Sequence, residues 1–483
     1  MSSSESFYWH DYETFGARPA IDRPVQFAGL RTDLDLNPLG EPLCIYARPP
    51  RDYLPAVEAC LITGIVPQLA EEQGIAEADF IDRILSELAH PGTCALGYNS
   101  LRFDDEVTRY TLWRNLRDPY AREYGDGRSR WDLIDAMRTA FALRPEGIEW
   151  PRREDGRPSF RLEDLTRANG IEHGSAHDAL GDVRATLALA RLLKDRQPKL
   201  FDWLFRQRSK HAVKEFLASH DTKPLLHVSG RFGAARAHLG LVLPLAWHPV
   251  NGNELICANL SVDTQMLIDL PAQELRRLLY LPEAEFGPGE QRPGIKSVHI
   301  NRCPVLLPAQ MATRDIAERA TLDLKLCASN RRLLADHESR HPGALRDKLR
   351  ELVQLAPPRE PGDVDEALYG GGFLPREDRQ KLDRLVSLGP DELAEESPVF
   401  EDQRLEEMLF RYRARNYPQT LNADDRERWE AFRFARLSGD EGRGPGLEAF
   451  QSEIEARLAG PELSPRDRDI LTQLQSWGDE LLV

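Results

Sequence analysis

Apolar residues recur along this chain with two different periods, and the period changes from segment to segment. From residue 6 to about 195, strand-like and helix-like stretches alternate. Phe7-Tyr8-Trp9-His10 reads as a short aromatic strand running into Asp11-Tyr12-Glu13. Residues 24–32, with Val25, Phe27 and Leu30, and residues 43–47 read as two further strands separated by the turn-rich residues 37–42. Phe80, Ile81, Ile84, Leu85 and Leu88 recur at helical spacing. Residues 94–97 read as a buried strand and residues 176–193 as an amphipathic helix. Gln197-Pro198-Lys199 marks a boundary, followed by a short basic helix over 206–217. Residues 224–308 are punctuated by Gly and Pro, with strands expected at 225–228, 239–247, 254–260 and 297–300, which predicts a small, mostly β domain. Residues 357–362 read as a linker, and helical periodicity follows at 404–413, 424–437 and 447–458. The expected division is 1–197, 198–356 and 357–483, an α/β domain, a β domain with flanking helices and an acidic helical domain.

Composition narrows the class. Of the 483 residues, 41% are apolar and 29% charged, which excludes disorder as the main state. The best apolar run, 239–247, is half the length a membrane span needs and contains Pro244. No signal peptide is visible at the N-terminus, and six cysteines without a Cys-x-x-Cys pair fit a reducing cytoplasm. The net charge of -16 argues against a nucleic-acid partner. Its distribution weakens that objection, because residues 361–483 carry 28 acids and 16 basic residues, so most of the excess sits there. Residues 100–170 hold 14 acids and 14 arginines, with no lysine. Such a segment can grip anions with planar forks while keeping carboxylates for metals, although charge alone favours a solvated surface laced with ion pairs.

Three clusters carry candidate chemistry. Asp11 and Glu13 share one face of a strand, roughly 7 Å apart, and a divalent cation with hard oxygen ligands, Mg²⁺ or Mn²⁺, would cancel their repulsion. Alone, Asp-x-Glu reads better as a solvated strand end. Gly97-Tyr98-Asn99-Ser100-Leu101-Arg102-Phe103-Asp104-Asp105-Glu106 follows the buried strand and places Asp104 at a strand's end. Alone, its acids read as favourable charges at a helix N-terminus. In His177-Asp178-Ala179-Leu180-Gly181-Asp182-Val183, His177 stands where a helix begins, and Asp178 and Asp182 share a face. Alone, this is an ordinary amphipathic helix with a surface histidine. The order of the three is far more specific than any one of them, since four carboxylates and a histidine match a two-metal phosphodiesterase centre.

In that order the set Asp11, Glu13, Asp104, His177, Asp182 resembles the DEDDh branch of the DnaQ-like 3'→5' exonucleases. The strings His10-Asp11-Tyr12-Glu13-Thr14-Phe15-Gly16, Arg102-Phe103-Asp104-Asp105-Glu106, Ser159-Phe160-Arg161-Leu162-Glu163, Asn169-Gly170-Ile171-Glu172-His173, His227-Val228-Ser229-Gly230 and Tyr412-Arg413-Ala414-Arg415-Asn416 resemble the bacterial exodeoxyribonuclease I family. The resemblance implies a ribonuclease H-like mixed sheet flanked by helices, an SH3-like β domain and a C-terminal helical domain. It implies a single strand of DNA shortened from its 3' end to 5'-mononucleotides, in DNA repair and recombination. By the same resemblance, Asp11, Glu13, Asp182 and Asp104 hold two Mg²⁺ ions, with Mn²⁺ as a substitute, and His177 takes a proton from water. Glu13 meets the terminal nucleotide, and Arg161, Arg109, Tyr120, Tyr124 and Arg138 contact the strand. Arg144 and Trp203 receive the acidic C-terminal tail of single-stranded-DNA-binding protein. The protein is expected to act as a monomer. Rival readings are a DEDDh exonuclease acting on RNA and a non-catalytic scaffold for single-stranded nucleic acid. Matched DNA and RNA oligomers separate the first, and a chelator-sensitive nuclease assay the second. Gly370-Gly371-Gly372 matches nothing and lacks the Gly-Lys-Ser/Thr of a phosphate loop.

Overall fold

The computed structural model describes residues 5–174, 178–357, 362–439, 446–460 and 463–482. The chain packs as two compact units. One comprises Met1–Ser129, His173–Arg184 and Arg359–Val483, the other Arg130–Glu172 and Ala185–Pro358. This grouping differs from the three-part division expected along the chain, and the reason lies in the C-terminal helices described below.

The first unit is built on strands β1 (Ser6–Thr14), β2 (Pro24–Thr32), β3 (Leu43–Tyr46) and β4 (Thr93–Gly97), in the order β3-β2-β1-β4. β1 runs antiparallel to β2 along its length and parallel to β4 only from Ser6 to Trp9. Tyr8, Tyr12 and Phe27 pack on helix α1 (Glu77–Leu88) through its buried Phe80, Ile81, Ile84 and Leu88. Each such side chain removed from water contributes about 1.5–3 kcal/mol. Helix α2 (Asp104–Arg114) opens on Asp104, Asp105 and Glu106, acids that complement its N-terminal dipole.

The second unit begins within β5 (Ser129–Asp132) and continues into α3 (Leu133–Leu143), whose first turn is capped by Asp132 accepting from the Ile134 amide at 3.1 Å. Helix α4 (Leu162–Ala168) follows, and α5 (Ala179–Arg196) is divided between the units. In place of one basic helix over 206–217 there are two, α6 (Pro198–Arg206) and α7 (Lys210–Ser219). Ser209 separates them because its hydroxyl accepts from the Ala212 amide and starts the second. The β domain is a five-stranded antiparallel sheet of β6 (Leu225–Val228), β7 (Leu239–Trp247), β8 (Glu254–Asn259), β9 (Ile295–His299) and β10 (Val305–Pro308), in the order β10-β6-β7-β8-β9.

The C-terminal helices α8 (Arg404–Asn416), α9 (Ala423–Ser438), α10 (Leu447–Leu458) and α11 (Pro465–Glu480) return to the first unit. Phe450, Ile454, Ile470, Leu471 and Leu474 share one apolar core with Phe15, Val25, Tyr53 and Val57. Met408, Leu409 and Tyr412 share another with Tyr110 and Trp113. Between them lies a buried ionic network. Arg415 reaches Asp52 and Asp365 at 2.7 Å each, Arg411 reaches Asp363 at 2.7 Å, and Arg23 reaches Asp365 at 3.5 Å. Arg436 joins Asp365 at 3.3 Å. Three arginines of these helices, Arg411, Arg415 and Arg436, are thus paired with buried carboxylates of the first unit. No described helix is long and apolar enough to cross a membrane.

Candidate active site

The site follows from where β4 stops. Beyond Trp9, β1 has no partner on that side, so its backbone amides need other acceptors. The Tyr12 amide finds one in Asp104 Oδ1 at 3.1 Å, which brings a buried carboxylate from the start of α2 to the open side of β1. Gly97 permits this arrangement, since a Cβ there would stand 2.5 Å from the His10 carbonyl oxygen. On β1 itself Asp11 and Glu13 alternate with buried Tyr12 and share one face. The Ala179 amide at the start of α5 donates to Gln26 Oε1 on β2 at 3.2 Å, which docks that helix beside the same strand end. One oxygen each from Asp11, Glu13 and Asp182 then lie within 4.8 Å of one another.

These carboxylates strain against their surroundings. Burial first, then repulsion from Asp104, Asp182, Glu13 and Asp178, holds the Asp11 carboxyl well above the usual range. Burial, then Asp182 and Asp178, pushes Glu13 up to about 8. A divalent cation fits such a set, because hard oxygen donors suit it and its charge restores the ionised form that burial and repulsion disfavour. Two residues at this site had no role assigned from sequence, although both stood in the quoted strings. Asp178 stands four positions before Asp182 and adds to the repulsion on both β1 acids; its spacing was the available signal. His173 Nε2 contacts Asp182 Oδ1 at 2.5 Å, and its only signal was its place in the string ending at His173. His177 lies outside the described residues.

Comparison with known proteins decides the family. Residues 8–190 match the sequence model described as Exonuclease, 208–354 the Exonuclease I SH3-like domain and 362–481 the Exonuclease I C-terminal domain. Exodeoxyribonuclease I of Escherichia coli strain K12 is 47% identical over 425 residues, 88% of each chain. The chain belongs to the exodeoxyribonuclease I family. Its structure superposes on an exonuclease I from Methylocaldum szegediense with a TM-score of 0.93 and 49% identity, covering 99% of this chain and 100% of the other. E. coli exonuclease I in complex with a dA16 oligonucleotide gives a TM-score of 0.92 and 42% identity, with the same coverage. Other similar structures include a zinc-bound complex of E. coli exonuclease I with single-stranded DNA and a structure of SSB/exonuclease I with an inhibitor. In this exodeoxyribonuclease I fold, the exonuclease, SH3-like and C-terminal parts are thus all present.

The strand contacts implied for exodeoxyribonuclease I take different positions. In the first unit, Tyr124 is 58% exposed, with an open ring face. Tyr120 is half-buried under the Arg109 guanidinium, 5.6 Å from its ring centroid. Arg109 itself is only 4% exposed and is held by Glu106 and Glu123, each at 2.6 Å, so its charge is already met within the fold. In the second unit, Arg161 caps the start of α4 with an exposed side chain, and Ser159 and Asp164, hydrogen-bonded at 2.6 Å, fix the turn that presents it. Arg138 is bound to Asp135 at 2.8 Å and packs against Gly230, whose Cβ would lie 3.2 Å from its Nη1. Arg144 ends α3 with an exposed guanidinium, and Trp203 is half-buried on α6, which packs against α3.

Proposed function

We propose that this chain removes 5'-mononucleotides one at a time from the 3' end of single-stranded DNA, in DNA repair and recombination. The observation that carries this reading is the convergence of Asp11, Glu13, Asp104 and Asp182 at the unpartnered end of β1. Asp11, Glu13 and Asp182 would hold one Mg²⁺ or Mn²⁺ ion, and Asp104, with a phosphate oxygen of the substrate, would complete a second site. Bound there, a pair of ions would stabilise the attacking and leaving oxygens of an in-line displacement. Glu13 also meets the terminal nucleotide. His177 accepts the proton of the attacking water, a task suited to an unperturbed pKa near 6.5. Arg161 and Arg138 neutralise phosphates, while Tyr120 and Tyr124 stack on bases, a sequence-tolerant grip. Arg109, occupied by two glutamates, acts on the strand through the Tyr120 ring it holds. Arg144 and Trp203 take the acidic tail of single-stranded-DNA-binding protein. The enzyme works in the cytoplasm as a monomer.

A 5'-labelled single strand incubated with Mg²⁺ tests the activity. A ladder shrinking from the unlabelled end is the expected result, abolished by chelator and by Asp11→Ala with the fold retained. Shortening from the labelled end, or full turnover by Asp11→Ala, overturns the reading.

A further inference from the structure

The glycine triplet has a structural task. Gly370 closes a turn after Ala367–Tyr369, and the chain then runs against the Arg404 guanidinium. A Cβ on Gly371 would stand 2.4 Å from Arg404 Cζ. That side chain cannot swing aside, because it holds Asp402 through Nε and Nη2, donates to the Ala367 carbonyl at 2.6 Å and lies over the Trp113 ring at 4.9 Å. Gly372 then adopts φ +76°, a left-handed conformation that a residue with a Cβ rarely takes. The result is Phe373, 90% exposed, the most exposed large apolar side chain among the described residues.

The loop is tied down at Tyr369, and the Phe373 ring itself touches Tyr120. Tyr369 donates to Glu106 Oε2 at 2.6 Å and accepts from Arg109 Nη1 at 3.2 Å. Glu106 lies two positions along α2 from Asp104. Phe373 meets Tyr120 edge to face, with ring centroids 6.2 Å apart. The same Arg109 lies over the Tyr120 ring. An aromatic ring exposed in this way, in edge contact with the Tyr120 ring proposed to stack on bases and on a loop tethered to the helix that carries Asp104, suits a nucleic-acid base. We propose that Phe373, set out by the glycine triplet, is a base-stacking platform that extends the Tyr120 contact along the single strand. This rests on the reading of the chain as a single-strand exonuclease and adds to it a residue contributed by the C-terminal part.

Stacking on an aromatic face strengthens binding by about 5- to 150-fold per base, from roughly 1–3 kcal/mol. Phe373→Ala is therefore expected to raise KM for a dT16 oligonucleotide within that range, with kcat within twofold and an unchanged melting temperature. Phe373→Trp should restore KM, and Phe373→Leu, apolar but without a π face, should not. An unchanged KM in Phe373→Ala, which would leave the ring to a protein partner, overturns the proposal. So does full rescue by Phe373→Leu. Should Phe373→Ala fold poorly, the comparison of Trp with Leu still decides. Failure of the wild-type enzyme to digest the oligonucleotide would instead count against the exonuclease reading itself, so the two are distinguished.

Discussion

His173 shows how much a single side chain can govern here. Its ring nitrogen meets Asp182 at 2.5 Å, so it fixes the orientation of a carboxylate that must also offer an oxygen to Asp11 and Glu13's shared centre. Side chains that orient a metal ligand typically change metal affinity or activity by about 10–100-fold when removed. His173→Ala should raise the Mg²⁺ concentration for half-maximal activity by that order, with kcat at saturating Mg²⁺ nearly unchanged. His173→Gln, whose amide can still donate, should recover most of the loss. An identical Mg²⁺ titration for wild type and His173→Ala would show that the contact has no such role. Asp178 differs, since its charge, after burial and Asp182, helps to raise the Glu13 carboxyl.

At the scale of elements, the end of α3 is the clearest exposed cationic feature of the second unit. Arg144 terminates that helix with its Nη1 on the Leu143 carbonyl at 2.8 Å and the rest of its guanidinium free to water. A terminal carboxylate of an acidic peptide suits such a fork. Arg144→Ala should weaken binding of the single-stranded-DNA-binding protein tail about tenfold by calorimetric titration, without altering digestion of a bare oligonucleotide. The elements themselves were legible where periodicity was strong. β1, β2, β4, α1 and α5 all lie where the apolar spacing predicted them; Asp11, Glu13 and Asp182 lie together near the end of β1, and Asp104 meets the Tyr12 amide. Other features were not legible because their cause is distant in sequence. β10 is short and ends in Pro308, so it lacks a strand's alternating signature. The fate of Arg109 depends on Glu123, fourteen residues away across an irregular turn. The string Tyr412–Asn416 stood out as a motif, but its purpose required knowing that Asp52 and Asp365 lie opposite Arg415.

For the whole molecule, stability is expected to hinge on that buried network. Burial opposes ionisation of Asp365, yet Arg415, Arg23 and Arg411 overcome it and hold the carboxyl well below its usual range. Asp52 and Glu77 are likewise lowered, by Arg415 and by Arg114 respectively, against burial. Carboxyls depressed in the folded state contribute stability that is complete above the unfolded range near 4 and is lost as pH falls through the folded values. The urea midpoint should therefore drop steeply below about pH 4. Asp365→Asn should cost about 3–5 kcal/mol at pH 7, because it leaves guanidinium groups buried without their counter-charge, and should flatten that acid decline. An unfolding free energy within about 1 kcal/mol of wild type would remove the network from the account.

The first unit is also assembled from three separate stretches of chain, the last beginning at residue 359. On the ribosome, Asp52 emerges more than three hundred residues before its partners Arg415 and Arg436. The catalytic half therefore cannot settle its buried charges until translation is almost complete. A polypeptide ending before Arg415 would leave the buried Asp52 carboxylate without its guanidinium partners.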